Sequence, residues 1–273
     1  MMPPEFPALS VRLDDGLARI AFDRPARANA LDAALWQALR AACQWADQTD
    51  AVRVVVLAGE GANFCAGIDL SLLASIPEQI RHADPARAQE KLRHLILDLQ
   101  DCVNAIARCR KPVIAAIQGA CIGGGVDIVT ACDMRYASAD ARLAVREIDM
   151  AMAADVGTLQ RLPRLVPEGI ARELAFTGRE IDADEAARIG LVNRVFDSTD
   201  ALAVGVEKIA RRIAAKSPLA IRGTKAVLNY NLDHSIEDGL AFVANWNASA
   251  LLSHDMQIAA QAMQARQVPQ FDD

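Results

Sequence analysis

Two short apolar segments rich in β-branched residues, 52–58 and 112–117, are each followed by turns that carry several glycines. Continuous apolar runs of this length, bounded by glycine, predict strands that are buried on both faces. An earlier hairpin is predicted at 11–22, around a turn at Asp15, and a helix that Asp32 can cap begins before the first buried strand. The order of strand, helix and strand predicts an α/β core in which helices cover a largely parallel sheet.

The remainder of the chain changes from mixed structure to helix. A polar stretch at 72–90 is the segment we expect to be most mobile, and a long amphipathic helix follows at 88–108. Short strands are predicted at 133–137 and 143–145. Helices are predicted at 157–166, 168–176, 183–189, 200–215, 218–230 and 235–264. We therefore expect an α/β core over residues 1–200 and a helical region over residues 201–273.

The composition excludes several classes of protein. The chain has 273 residues, is 52% hydrophobic and carries a formal charge of −6, without a block of Lys and Arg. These values favour a globular protein with a large core and argue against a nucleic-acid partner. The six cysteines form no CxxC pair and are expected to be reduced. With no basic, apolar leader and no run of about 18 apolar residues, we expect a cytoplasmic protein without a membrane segment.

Two glycine-bearing turns, at 65–69 and 119–125, are the first candidates for a functional site. Glycine lets backbone N–H groups approach a ligand closely. If both turns lie at one edge of the sheet, their N–H groups could converge on a carbonyl oxygen and stabilise the charge that develops on it. The alternative is that the glycines only permit tight turns between strand and helix.

Three acids interrupt the most apolar part of the chain: Asp127, Glu147 and Asp155. Each has an ordinary structural explanation. Asp127 could complement a helix dipole, Glu147 could pair with a neighbouring arginine, and Asp155 could cap a helix. A dehydrated carboxylate is nevertheless costly, so the placement of all three together indicates proton chemistry.

Other kinds of catalysis fit the sequence poorly. The four histidines lie in polar or amphipathic contexts, and no Gly-x-Ser-x-Gly elbow is present. Paired His or Cys ligands for a metal are absent. The glycine run does not follow the G-x-G-x-x-G pattern of dinucleotide-binding proteins. Neither a metal centre nor a dinucleotide site is therefore expected.

Several motifs together resemble the enoyl-CoA hydratase/isomerase, or crotonase, superfamily. They are FCAGIDL at 64–70, KPVIAAIQG at 111–119, GGGVD at 123–127, RP at 24–25, NAL at 29–31 and GTLQRLP at 157–163. Their order and spacing also fit, and the likeness extends from about residue 8 to 265. The resemblance implies a crotonase-like spiral of ββα units and a C-terminal helical region used in trimer assembly, often as a dimer of trimers. It also implies an acyl-CoA thioester as ligand.

The resemblance assigns roles to individual residues. The backbone N–H groups of Ile68 and Gly124 would hold the thioester oxygen. Asp127 and Glu147 occupy the two acid positions of the hydratases, although the first is usually Glu in those enzymes. Asp155 stands where hydratases generally carry glycine. A third acid here is similar to the 3,5-dienoyl to 2,4-dienoyl-CoA isomerases of unsaturated fatty acid β-oxidation.

The chemistry of isomerisation explains why a third acid, Asp155, would be needed. Two conjugated double bonds move when a proton leaves carbon 2 and another is added at carbon 6, and one carboxylate cannot easily serve both positions. We expect Glu147 to act as base at carbon 2 and Asp155 as acid at carbon 6, while Asp127 tunes the site. Apolar neighbours could raise the pKa of Asp155. CoA is part of the substrate, so no cofactor is expected.

The residues that contact the CoA part of the substrate are predicted only from the resemblance. Backbone or side-chain contacts to CoA are expected from Ala26, Arg27, Ala28, Ala66, Gly67, Asp69 and Lys225. Arg27 or Lys225 could meet a phosphate, and either could equally be a solvated surface cation.

Three alternatives remain open at the level of sequence. The first is a 2-enoyl-CoA hydratase in which Asp127 and Glu147 activate water. The second is a noncatalytic acyl-CoA-binding protein, which would need the glycine turns but not the acids. The third is another CoA reaction on the same fold, such as decarboxylation or ring cleavage.

Overall fold

A computed structural model describes residues 3–272, which contain nine strands and eleven α-helices. The strands are β1 (Leu9–Asp14), β2 (Leu17–Phe22), β3 (Val54–Gly59), β4 (Val113–Ile117), β5 (Ala120–Ile122), β6 (Met134–Ser138), β7 (Arg142–Ala144), β8 (Ile181–Asp182) and β9 (Arg194–Phe196). The helices are α1 (Ala33–Gln48), α2 (Leu70–Gln79), α3 (Pro85–Arg108), α4 (Gly124–Ala131), α5 (Thr158–Arg161), α6 (Glu168–Thr177), α7 (Ala183–Arg188), α8 (Thr199–Ala214), α9 (Pro218–Tyr230), α10 (Ile236–Ala250) and α11 (His254–Ala265).

The main sheet has six strands in the order β1-β2-β3-β4-β6-β9. Only the β1–β2 pair is antiparallel, and Asp15 and Gly16 in its turn both have positive φ, of 45° and 77°. Positive φ at both central residues is the geometry of a tight hairpin whose twist matches its strands. The predicted hairpin, the parallel core and both buried strands are confirmed.

Helices cover both faces of this sheet. Apolar residues of α1 and α3 pack with one face in the larger core cluster, and α8 packs on the other through Leu202, Val206 and Ala210. Every residue of β3 and β4 is buried, as expected for central parallel strands. Asp32 caps α1 by accepting a hydrogen bond from the Leu35 N–H at 2.8 Å. This capping was also predicted correctly.

A second, three-stranded sheet was not predicted. Its order is β5-β7-β8, and the strands have only two or three residues each. Of the three, β7 overlaps the strand predicted at 143–145, whereas β5 and β8 are too short to show alternation in sequence. The sheet forms because β5 and β7 pair in parallel with Cys121 opposite Leu143, and this pairing brings the second glycine turn close to residues 142–147.

One other prediction was wrong in detail. The helix expected over 235–264 is two helices, α10 and α11, and Ser253 caps the second by accepting a hydrogen bond from the Met256 N–H. The polar stretch 72–90, whose mobility stays a prediction, contains most of α2, which Asp69 caps through the Ser71 N–H. In both places a capping side chain starts a helix.

The C-terminal part of the described chain is helical from α8 onward, apart from short connections. Since α8 belongs to the cover of the main sheet, the division at residue 200 remains a proposal. In residues 3–272, no helix is both long enough and apolar enough to span a membrane.

Candidate active site

The two glycine turns lie side by side. The Cys65 N–H donates to the Ala120 carbonyl and the Ile122 N–H donates to the Cys65 carbonyl, both at 2.9 Å. These bonds pair Cys65 with Cys121 in parallel. Consequently Gly67 and Gly124 are neighbours: a Cβ placed on Gly67 would lie 3.7 Å from the Gly124 nitrogen and 2.9 Å from the Ile122 carbonyl oxygen. The close approach requires glycine at position 67, whose φ is +92°.

Two backbone N–H groups at this junction have no protein acceptor. In the described part of the chain, the amides of Ile68 and Gly124 form no hydrogen bond with another residue. Gly124 is the first residue of α4, where backbone N–H groups lack intrahelical partners and the helix dipole is positive. Both residues line the same cavity. This arrangement supports the oxyanion-hole hypothesis over the explanation that the glycines only permit tight turns.

The cavity beside these amides has a volume of about 590 Å³. It brings together ten of the twelve residues predicted for the site: Ala26, Arg27, Ala66, Gly67, Ile68, Asp69, Gly124, Asp127, Glu147 and Asp155. Its wall also includes Trp36, Leu99, Met150, Met152 and Val156. An acyl chain could therefore contact apolar side chains while its thioester meets the amides.

Asp127 is completely buried in the first turn of α4. One carboxylate oxygen accepts a hydrogen bond from the Thr158 N–H at 2.6 Å. Burial raises the pKa of Asp127 to about 6, and the hydrogen bonding from Thr158 opposes that rise. Asp127 thus lies where it can complement the dipole of α4, but the dipole does not explain why its carboxylate is buried.

Glu147 begins a 3₁₀ turn, Glu147–Met150, three residues after the end of β7. Its carboxylate packs against Gly123, since a Cβ at Gly123 would lie 3.2 Å from one Glu147 oxygen. Burial, and then the charge of Asp127, raises the pKa of Glu147 to about 7. The neighbouring Arg146 pairs instead with Asp149, at 3.0 Å. The alternative explanation, in which Glu147 pairs with a neighbouring arginine at the surface, is therefore wrong, since Arg142 pairs with Glu180.

Asp155 lies on the loop before α5 and is more exposed than the other two acids. Partial burial of its carboxyl group in the cavity raises its pKa. It does not cap α5, because the N-cap residue is Gly157 and no side chain caps that helix. The capping explanation for Asp155 is therefore wrong.

Unpaired polar atoms concentrate at this site. In the described residues, four buried side-chain atoms lack a hydrogen-bond partner: Trp36 Nε1, Asp127 Oδ2, Glu147 Oε2 and Thr158 Oγ1. The first three belong to cavity-lining residues and Thr158 adjoins Asp127. Buried polar atoms without partners are rare and often mark functional sites. The sequence does not single out Trp36, because its helical spacing on α1 is that of a core residue and carries no functional signal.

We expect Asp127→Asn to stabilise the protein at neutral and alkaline pH. The folded-state pKa of about 6 lies above the ordinary 3.8, so the stability contributed by protonated Asp127 is fully present below about pH 3.8 and is lost as the pH rises through 6. Above that range the buried charge costs roughly 2 to 3 kcal/mol. Asn keeps an acceptor for the Thr158 N–H. Urea unfolding should show the gain near pH 8 and little gain near pH 4; equal effects at both would contradict it.

Two charged residues that were predicted to contact CoA, Arg27 and Asp69, differ in exposure and in their partners. Arg27 is exposed at the cavity, whereas Asp69 pairs with Arg24 at 3.1 Å and caps α2. Hydrogen bonds from Ser71, followed by Arg24, lower the pKa of Asp69 to about 2. Asp69 therefore remains charged and has a structural role.

Two of the predicted CoA contacts do not line the cavity. Ala28 has a φ of 48°, and its carbonyl accepts the Ala66 N–H at 2.9 Å, so it supports the wall from behind. Lys225 is buried elsewhere, in an ion pair with Asp133 at 2.7 Å and a hydrogen bond to the Lys111 carbonyl. The structure does not bring Lys225 to the cavity, and it takes no part in the function proposed below. Within residues 3–272, no group of three or more His, Cys, Asp or Glu side chains could hold a metal ion.

The chain is similar in sequence to a family of known enzymes. The enoyl-CoA hydratase/isomerase family model matches residues 12–273. The peroxisomal Delta(3,5)-Delta(2,4)-dienoyl-CoA isomerase of Arabidopsis thaliana is 46% identical over 94% of this chain and 93% of its own length. The mitochondrial enzyme of the same name from Homo sapiens is 43% identical over 89% of this chain and 74% of its own.

A solved structure supports the fold. The crystal structure of enoyl-CoA hydratase from Bacillus anthracis superposes with a TM-score of 0.88 at 31% identity, covering 97% of this chain and 99% of the other. The crotonase-like fold predicted from the motifs is confirmed.

The expected cytoplasmic location is wrong. The relatives described above carry "peroxisomal" and "mitochondrial" in their names. Composition and apolar runs bear on crossing a membrane as an apolar segment, whereas organelle addresses are short signals that receptors read.

Proposed function

Because the chain belongs to the enoyl-CoA hydratase/isomerase family, we propose that its cavity converts 3,5-dienoyl-CoA to 2,4-dienoyl-CoA through Asp127, Glu147 and Asp155. The protein is an enzyme, a dienoyl-CoA isomerase of fatty acid β-oxidation, and requires no cofactor beyond the CoA of its substrate. Its relatives point to an organellar location. The observation that carries the assignment of residues is the presence of three carboxyl groups with raised pKa values around one cavity.

The reaction moves one proton and two double bonds. Glu147, when ionised, removes a proton from carbon 2, and the electron pair delocalises through the diene onto the thioester oxygen. The N–H groups of Ile68 and Gly124 stabilise that oxygen. Asp155, when protonated, adds its proton at carbon 6, so the product is the conjugated 2,4-dienoyl thioester. Transfer of a proton from Glu147 to Asp155 then returns both groups to their starting protonation states.

The surroundings of the acids suit these roles. A base with a pKa near working pH is half ionised and still basic enough to act, and the pKa of Glu147 is about 7. Asp155 has to be protonated when it acts, and its raised pKa increases that fraction. Asp127 is locked by the Thr158 N–H and contributes negative charge, which helps to raise the pKa of Glu147. It therefore tunes the site.

The partner is an acyl-CoA thioester. The apolar wall suits the acyl chain, and the exposed guanidinium of Arg27 at the cavity suits a phosphate of CoA. A homotrimer or a dimer of trimers is part of the same proposal, supported by the membership of the family.

Exchange of the carbon 2 proton with solvent should depend on pH through Glu147, because this step does not require the protonated form of Asp155. In the free enzyme the base becomes active as it deprotonates, so kcat/KM for this exchange should rise as the pH increases through about 7. Measuring kcat/KM from about pH 5.5 to 8.5 tests this, with Asp149→Asn as a control for an exposed acid on the same segment. A profile that falls over this range would assign the base elsewhere.

The function itself is tested by ultraviolet absorbance. Purified protein is mixed with 3,5-octadienoyl-CoA, and the conjugated 2,4-dienoyl thioester is followed, with hydration of crotonyl-CoA measured in parallel. We expect a rise with the dienoyl substrate and little hydration. Rapid hydration without that rise would assign the protein as a hydratase, and turnover of neither substrate would favour an acyl-CoA-binding role.

A further inference from the structure

We infer that Gln100 of α3 is a positioning residue for Asp155, acting through the backbone of the loop that carries this acid. The inference rests on the proposed function, since it concerns the acid assigned to carbon 6. Nothing in the sequence resemblance singles out Gln100, which lies on an amphipathic helix among other polar residues.

No other residue holds the carboxylate of Asp155. In the described part of the chain it makes no hydrogen bond or ion pair with another residue, and the hydrogen bond that it accepts comes from its own backbone N–H. By contrast, Asp127 is held by the Thr158 N–H, and Glu147 packs against Gly123. The position of Asp155 in the cavity therefore depends on where its backbone lies.

That backbone is attached to α3. The side-chain amide of Gln100 donates to the Asp155 carbonyl at 2.7 Å, and this bond joins residues 55 positions apart. Leu99, the preceding residue, lines the cavity. One turn of α3 thus contributes an apolar wall for the acyl chain and an anchor for the acid.

The same face of α3 holds the other end of the segment. Asn104, four residues after Gln100, accepts a hydrogen bond from the Arg161 guanidinium at 2.5 Å. Residues four apart lie on one face of a helix. The guanidinium lies over Gly157, where a Cβ would be only 1.8 Å from Arg161 and where φ is +132°. Segment 155–161 is therefore attached to α3 at both ends and to Asp127 in between.

Two attachments to one rigid helix explain how an exposed loop can place a proton donor reproducibly. A displacement of about 1 Å at a reacting group can cost up to about 100-fold in rate. Loss of the Gln100 bond frees the Asp155 end, while the Asn104 attachment retains the Arg161 end. The base at carbon 2 lies on a different segment, after β7, and is not affected directly.

The test separates the two proton transfers. In deuterium oxide, reversible action of Glu147 exchanges the carbon 2 proton of 3,5-octadienoyl-CoA, whereas formation of the 2,4-dienoyl product also requires Asp155. We expect Gln100→Leu to lower kcat for isomerisation roughly 10-fold, with KM and carbon 2 exchange nearly unchanged. Gln89→Leu is the matched control, because Gln89 is exposed near the start of the same helix.

Three results would overturn the inference. They are unchanged isomerisation in Gln100→Leu, an equal loss of isomerisation and carbon 2 exchange, and an equal effect of Gln89→Leu. A wild-type protein that exchanges the carbon 2 proton but forms no product would instead contradict the proposed function, so the two failures are distinguishable. Thermal unfolding of each variant establishes that the rates refer to folded protein.

Discussion

Replacing Asp155 with Asn should lower the isomerisation rate by roughly 10²- to 10⁴-fold while leaving exchange of the carbon 2 proton intact. Asn has nearly the same size and polarity but has no proton of suitable acidity to give to carbon 6. Because Asp155 is the most exposed of the three acids, the change should disturb the fold little. Ultraviolet absorbance measures the isomerisation, and mass spectrometry of the recovered substrate measures the deuterium incorporated at carbon 2.

The control for this variant is Asp149→Asn. Asp149 lies six residues earlier, is exposed and pairs with Arg146, and it does not line the cavity. It should retain nearly full activity. An unimpaired rate in Asp155→Asn would exclude this residue as the acid, and loss of carbon 2 exchange along with the product would mean that Asp155 serves the first proton transfer as well.

Glu147→Gln should slow both proton transfers. Gln cannot accept the carbon 2 proton, so neither the dienolate nor any later species forms, and both isomerisation and exchange should fall by roughly 10²- to 10⁴-fold. The substitution also removes a buried carboxyl group whose pKa is raised to about 7 by burial, so stability near pH 8 should not decrease. The two rates and a urea unfolding curve test these expectations.

Glu168→Gln is a suitable control, since Glu168 is an exposed glutamate on α6 that pairs with Arg172. Its rates should match those of the wild type. If Glu147→Gln retained carbon 2 exchange, the base would be another group, and Asp127 would be the next residue to substitute because it is buried in the same cavity. Together, the Asp155 and Glu147 variants assign each proton transfer to one acid.

Much of the fold was predictable from local sequence. The strands β3 and β4 were found within two residues of their ends, because a short apolar run rich in β-branched residues between turns has few alternatives to a buried strand. The strands β5, β8 and β9 were missed, since two or three residues carry no period. The break between α10 and α11 was missed as well, although Ser253 is a recognisable capping residue.

The composition of the site was predictable to a similar extent. The three acids and the two glycine turns stand out because charge in an apolar context and glycine after a strand are both local signals. Trp36 and Gln100 carry no such signal: one looks like a core residue of α1 and the other like a surface residue of α3. Lys225 was misplaced, because a lysine in sequence does not reveal that Asp133 will bury it.

The amino-acid sequence by itself determined which chemical groups the protein has and which segments are strands or helices, since both depend on residue type and short-range spacing. Only the tertiary structure decided that Gly67 and Gly124 meet through the Cys65–Cys121 pairing. It also decided that the pKa values of Asp127 and Glu147 rise to about 6 and about 7. The physical reason is that desolvation and the convergence of distant backbone groups depend on the packing of segments far apart in the chain.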